Sequence, residues 1–234
     1  MARQPKKKLT THAASAVGDS AEAILKVAGE LFAQRGFAAV SMRLIATKSK
    51  QHLSSANYYF GSKAGLFEAV FLRRIVPVNN RRVALLKERL AREPLKLSDI
   101  VDSYIRPLFE IDRTTSHPFS AKLIMQFSKQ LLSNPDEHTY LLEYYNEVSR
   151  SYIAALTQGG FGLSTQDAVW GYNYLIAVLV FTLAGKSSLA KLEVDLLASL
   201  DVNESDEVTI NRLTRFICAG IAALGTSNKS FDPV

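Results

Sequence analysis

Apolar residues in this chain recur with the period of a helix and nowhere alternate with polar ones as a half-buried strand requires. Ile24, Val27, Ala28, Leu31 and Phe32 fall at i, i+3, i+4, i+7 and i+8, which is one helical face. Asp19-Ser20-Ala21-Glu22 has the shape of a capping box starting that helix at Asp19, and Gly36 is placed to stop it. Ser41 suits the N-cap of a short second helix carrying Met42, Leu44, Ile45 and Ala46. A third short helix is expected over about Leu53–Phe60 and ends at Gly61. Ser62 then caps a fourth, with Leu66, Phe67, Val70 and Phe71 on its buried side. Further helices are expected at roughly 77–92, 98–112, 118–133, 137–158, 165–186 and 206–225. Breaks fall at Pro94, His117-Pro118, Asn134-Pro135, Gly159-Gly160 and Asp201–Asp206, with Pro77 at a first turn or kink. The expected fold is all-α: an N-terminal three-helix helix-turn-helix bundle followed by a larger helical domain.

Charge is distributed unevenly along these helices. Residues 1–92 hold 17 Lys and Arg against 5 Asp and Glu, a net of +12, whereas residues 93–234 hold 11 against 17, a net of −6. Such asymmetry suggests a part that meets a polyanion joined to a part that does not, although a basic segment is also compatible with a solvated or membrane-surface patch. The basic start is followed by no apolar stretch of the secretory kind, and the single cysteine, Cys218, excludes an internal disulfide and a Cys-based zinc motif. The expected location is the cytoplasm.

Three short helices within about 45 residues, followed by a long one, suit a helix-turn-helix unit. In that arrangement the second helix crosses the DNA backbone and the N-terminal residues of the third enter a major groove. Ser54, Ser55 and Asn57 supply small hydrogen-bonding groups there, and Tyr58, Tyr59 and Lys63 lie where hydroxyl, ring edge and ammonium reach phosphates. Taken alone, Ser54–Phe60 favours a plain bundle helix with a Tyr-Tyr-Phe core cluster, since small polar helices are common.

The whole segment 22–71 is more specific. It carries Ile24-Leu25, Leu31-Phe32, Gly36-Phe37, Ser41-Met42, Ile45-Ala46, Asn57-Tyr58-Tyr59-Phe60, Ser62-Lys63 and Leu66-Phe67, and in this order and spacing it resembles the N-terminal signature of the TetR family of transcriptional regulators. The resemblance implies that Phe60 and the aliphatic positions pack the bundle. It also implies that Ser41 and Arg43 touch the backbone or a groove edge, that Ser54, Ser55 and Asn57 face bases, and that Tyr58, Tyr59 and Lys63 anchor phosphates. One stretch departs from the pattern. Where the family usually writes a turn like Ala-Gly-Val-Ser, this chain has Ser49-Lys50-Gln51-His52. Strain is expected at Lys50 if the turn needs φ > 0, and the apolar anchor and cap hydroxyl are replaced by Gln51 and His52.

Beyond residue 75 the likeness weakens, and the stretch from Asn57 through Val78-Asn79-Asn80-Arg81, with Trp170 and Ala184-Gly185-Lys186, diffusely resembles members that respond to fatty acids or their CoA esters. The implied protein is a homodimeric repressor on a pseudo-palindromic operator, released by a small apolar effector. The expected organisation is a basic arm at 1–18, the DNA-binding domain at 19–64, the effector-binding and dimerisation domain at 65–226 and a tail at 227–234. Candidate effector-lining residues are Tyr104, Phe109, Phe127, Tyr144, Tyr152 and Trp170, with Arg106, Arg113, Lys122 and Lys129 as cations for an acidic head group. Tyr174, Ala177, Val178 and Phe181 form an apolar stripe expected to meet the same stripe of a second copy.

Other motifs carry less. Gly185-Lys186-Ser187 is the tail of a phosphate-binding loop, but Val180 stands where its first glycine belongs and an apolar helix precedes it. The uncharged run Ala168–Gly185 brushes the lower limit of a membrane span, yet contains Gly171 and Asn173, so an interfacial helix is the expected reading. His12, His52, His117 and His138 are scattered, so no metal or cofactor is expected, and no catalytic constellation has motif support. The competing readings are a DNA-binding protein without sequence preference and an all-helical enzyme.

Overall fold

The computed structural model describes residues 18–114, 139–189 and 205–225, and every element among them is a helix. In chain order these are α1 (Asp19–Arg35), α2 (Met42–Lys48), α3 (Leu53–Phe60), α4 (Lys63–Leu90), α5 (Leu97–Thr114), α6 (Thr139–Gln158), α7 (Thr165–Leu189) and α8 (Asp206–Gly225). The helix expected at 118–133 lies outside the described residues, as do residues 1–17 of the arm and the tail. No described helix is long and apolar enough to cross a membrane.

The chain forms two compact units, one ending at Arg74 and the other starting at Ile75. That division falls ten residues beyond the boundary expected at 64/65. Its cause is aromatic packing: Phe67, on the first turns of α4, meets Phe32 of α1 edge-on at 4.9 Å and Phe37 at 5.0 Å. Leu66, Val70 and Phe71 are buried with it, beside Ile24, Ile45 and Ala56 from α1, α2 and α3. Glu22 of α1 pairs with Arg73 of α4, closing the same unit.

Two local expectations are corrected. Gly18, not Asp19, is the N-cap of α1, and no side chain caps it. Asp19 and Glu22 sit inside the first turn, where their charge favours the helix dipole, and Glu22 is drawn away to Arg73. The segments expected on either side of Pro77 are one 28-residue helix. The buried stripe Leu66, Phe67, Val70, Phe71, Ile75, Val78, Leu85 and Leu86 runs through the proline without a break of register, and Pro77 itself is exposed. The carbonyl of Arg73 that loses its donor therefore belongs to an exposed residue that water can reach.

In the second unit α5, α6, α7 and α8 pack around one core with the rest of α4. Ile100, Val101, Tyr104, Ile105 and Leu108 of α5 are buried, with Tyr152 and Leu156 of α6, Tyr172, Leu175 and Leu179 of α7, and Ile210, Leu213, Ile217 and Ile221 of α8. Ser164 and Asp167 start α7 by a reciprocal cap: the Ser164 hydroxyl accepts from the Asp167 amide at 3.1 Å, and the Asp167 carboxylate accepts from the Ser164 amide at 3.2 Å. Close packing of α7 on α8 depends on Gly171, where a Cβ would stand 3.3 Å from Ile221.

Candidate nucleic-acid interface and effector-binding core

Within the first unit, α2 and α3 are joined by a turn whose geometry follows from Lys50. Ser41 caps α2, its hydroxyl accepting from the Leu44 amide at 3.2 Å, as expected. At the other end Lys50 has φ 56°, the one positive φ of a non-glycine residue among those described. The Gln51 amide donates to the Ala46 carbonyl at 2.9 Å and the Lys50 amide to Thr47 at 3.2 Å, the two bonds that close a helix through a left-handed residue. The turn is thus formed as glycine would form it, at a cost of about 1 kcal/mol for the side chain. The buried Ser49 hydroxyl, donating to the Ile45 carbonyl at 2.8 Å, helps to hold it. His52 occupies the N-cap of α3 without a side-chain bond to the helix.

α3 buries little of itself. Ala56 is its one fully buried side chain, Ser55 and Phe60 are half-buried, and the remaining positions are open to solvent. Leu53, Ser54, Asn57 and Tyr58 share the outward arc, and Tyr58 is 85% exposed, with its ring 5.4 Å from that of Tyr59. Ser41 and Arg43 are exposed at the start of α2. Seven of the eight residues expected to meet DNA therefore show at least part of their surface on α2 and α3. Lys63 is spent differently: its ammonium donates to the Phe37 carbonyl at 3.1 Å and lies 4.3 Å from the centre of that ring. Thr47, Lys48 and Lys50 are exposed as well; the charge at Lys50 was expected to favour phosphate, whereas Thr47 and Lys48 were not among the expected contacts. Their signal in the sequence was the polar run around the turn, which carries two cations in three residues.

The expected effector residues fare unequally. Tyr104 and Tyr152 are buried and meet edge-on at 5.0 Å; Tyr172, which sequence reasoning missed, completes the cluster at 5.6 Å from Tyr104. Burial pushes the phenols of Tyr152 and Tyr172 well above the usual tyrosine range. Phe109 is half-buried on α5. Phe127 and the side chain of Tyr144 lie outside the described residues. Trp170 departs from the expectation of a buried lining: it is half exposed on α7 and stacks on Tyr174 at 5.7 Å. It follows the i, i+4 spacing that puts it on the same side of the helix as Tyr174.

Arg106 is also committed elsewhere. It grips Asp102 with two nitrogens and Glu207 of α8 at 2.7 Å, and hydrogen bonding to Asp102 and then Glu207 raises its already high pKa. Arg113, Lys122 and Lys129 have no described side chains. The expected dimer stripe does face outward: Tyr174 and Phe181 are exposed, Ala177 is exposed and Val178 half-buried. Phe216 and Val208 of α8 are exposed as well, along an open groove of about 990 Å³ that also takes in Thr214, Arg215 and Cys218.

Residues 24–70 match the family model for bacterial regulatory proteins of the tetR family, and residues 102–220, half of the chain, match the model for the tetracyclin repressor-like C-terminal domain. Solved structures share the fold at low identity. A Clostridium perfringens protein assigned as a fatty acid metabolism regulator aligns at 19% identity over 86% of this chain and 97% of its own, with a TM-score of 0.57. Salmonella enterica GusR aligns at 20% identity over 94% and 100%, with a TM-score of 0.55. Mycobacterium smegmatis AmtR aligns at 15% over 99% and 100%, also at 0.55. No curated protein matches the chain. With both characteristic domains matched in order, the chain belongs to the TetR family and is a DNA-binding transcription regulator rather than an enzyme.

Proposed function

We propose that two copies of this chain repress transcription from a pseudo-palindromic operator, each reading one half-site through α2 and α3, and that a small apolar effector held in the second unit releases them. The observation that carries this reading is the exposure of α3. A helix that buries one side chain of eight is poorly employed in a core, and its outward arc offers Ser54 and Asn57 for base edges and Tyr58 for the backbone. Arg43, Lys48 and Lys50, exposed on α2 and on the turn that leads into α3, add positive charge to the same unit.

Pairing through α7 and α8 is supported by the outward row Trp170, Tyr174, Ala177 and Phe181 with Phe216 on the adjacent helix, an apolar surface that water would otherwise cover. The effector reading rests on the tyrosine core among α5, α6 and α7 and on the diffuse likeness to members responding to fatty acids or acyl-CoA esters. The C. perfringens relative, assigned to fatty acid metabolism, points the same way. Residues 19 to about 74 act as the DNA-binding part and the remainder as the regulatory part. Selection from random duplexes with the purified protein tests this: a recovered two-fold symmetric site, released on adding an apolar ligand, is the expected result. Recovery of no preferred sequence would favour a non-specific DNA-binding protein instead.

A further inference from the structure

The buried stripe of α4 contains two polar residues, Asn79 and Arg82, each more than nine-tenths buried. A guanidinium removed from water is ordinarily matched by a carboxylate, because an unpaired buried charge is costly. Among the described residues Arg82 has no such partner. Its Nε donates to the Tyr104 carbonyl at 2.8 Å, its Nη1 to the Asn79 side-chain oxygen at 3.1 Å, and its central carbon lies 3.7 Å over the Tyr104 ring. All three partners are neutral, and no described hydrogen bond uses Nη2. The nitrogen of the same amide, Asn79 Nδ2, is buried without a hydrogen-bond partner among the described residues.

Neighbouring arginines are treated differently. Arg81 meets Glu88 and Glu110, Arg89 meets Asp99 and Asp102, and Arg106 meets Asp102 and Glu207. On α4 and α5 the fold thus gives carboxylates to the more exposed cations and gives none of those described to the most buried one. What remains at Arg82 is a positive charge lying over the Tyr104 ring, with an amide donor beside it whose oxygen accepts from the same guanidinium.

We propose that Arg82 and Asn79 hold the carboxylate of an apolar carboxylic acid, with Nη2 and Nδ2 donating to its oxygens and its body lying against the tyrosine cluster. The inference rests on the effector-binding reading above and narrows it to a free acid. An alcohol or a thioester brings no charge to this position and leaves the guanidinium unmatched.

Calorimetric titration of the full-length protein with alkanoates from butanoate to hexadecanoate and with phenylacetate tests the proposal, with 1-decanol and the ethyl thioester of decanoic acid as uncharged comparisons to decanoate. At least one acid binds, and the alcohol and thioester of matching length bind at least about tenfold more weakly, as expected for loss of one charge-assisted hydrogen bond. Asn79→Asp places a permanent carboxylate beside Arg82. This variant is expected to melt at a higher temperature than the wild type and to bind the acid at least about tenfold more weakly. Equal binding of acid and alcohol, acid binding undiminished in the folded Asn79→Asp protein, or no acid binding at all would each overturn the carboxylate site. In any of those cases, release of the selected operator by a neutral or cationic compound would leave the repressor reading standing. Failure to select any operator would instead count against that reading and leave the calorimetric result intact.

Discussion

The ammonium of Lys63, at the start of α4, donates to the carbonyl of Phe37 at 3.1 Å and lies 4.3 Å from the centre of its ring. Phe37 in turn packs on Phe32 and Phe67, so this one side chain ties the end of the α1–α2 connection to the aromatic core. Lys63→Ala is expected to destabilise the DNA-binding unit by about 1–2 kcal/mol. It should weaken binding to all duplexes while the dependence on salt keeps its slope. Lys48→Ala, on an exposed position of α2, should leave the melting temperature unchanged and lower the log–log salt slope by about one. Thermal melts combined with salt titrations separate the two; the reverse pattern would assign the Lys63 ammonium to a phosphate.

Lys50 holds a left-handed conformation that glycine adopts without penalty. Lys50→Gly is expected to raise stability by up to about 1 kcal/mol, the relieved strain being offset in part by the added freedom of the unfolded chain. Lys50→Val should lower it, since a branched Cβ tolerates positive φ worst. Denaturant midpoints for the three proteins should fall in the order Gly, Lys, Val, and a lysine protein more stable than the glycine one would show that the strain at Lys50 is smaller than the entropic cost of glycine.

Phe181 is 75% exposed on α7, so the fold of a single chain makes little use of it. Phe181→Asp should leave helical content intact while placing a charge into the contact between copies. Sedimentation velocity is expected to show a folded monomer with weakened operator binding. An intact dimer would move the contact away from this stripe.

Cys218 is half-buried, and burial pushes its thiol from about 9 up to about 11. A thiol whose pKa is raised in the folded state is fully protonated below pH 9 there, and its contribution to stability is lost as pH rises from about 9 towards 11. Alkylation by iodoacetamide at pH 8 should therefore run at least about tenfold slower in the native protein than in the urea-unfolded one. Equal rates would mean that the thiol is open to water.

Much of the fold could be read from spacing because the helices are punctuated by local chemistry. Ser41, Gly36 and Gly61 act at the ends of α1, α2 and α3 where the sequence puts them, and the left-handed turn at Lys50 was foreseeable from the family pattern it departs from. Pro77 misled because its local penalty is overridden by a buried stripe that continues on both sides of it. Trp170 differs for another reason: a large apolar residue reads as core, and only the packed helix shows that half of it is exposed. Arg82 was passed over because a lone arginine reads as surface, yet it falls at i+4 from Val78 and i−3 from Leu85, on the buried face of α4. Lys63 lies on an element boundary, where spacing gives a position but no direction for the side chain.

Competition between a selected operator duplex and a scrambled one at matched, physiological salt tests the central claim most directly. The account predicts a preference of at least about a thousandfold for the operator, two symmetric half-sites, and a narrower preference for Asn57→Ala at one base position of each half-site. Equal affinity for both duplexes, or a preference untouched by Asn57→Ala and Ser54→Ala together, would contradict the reading of DNA sequence by α3.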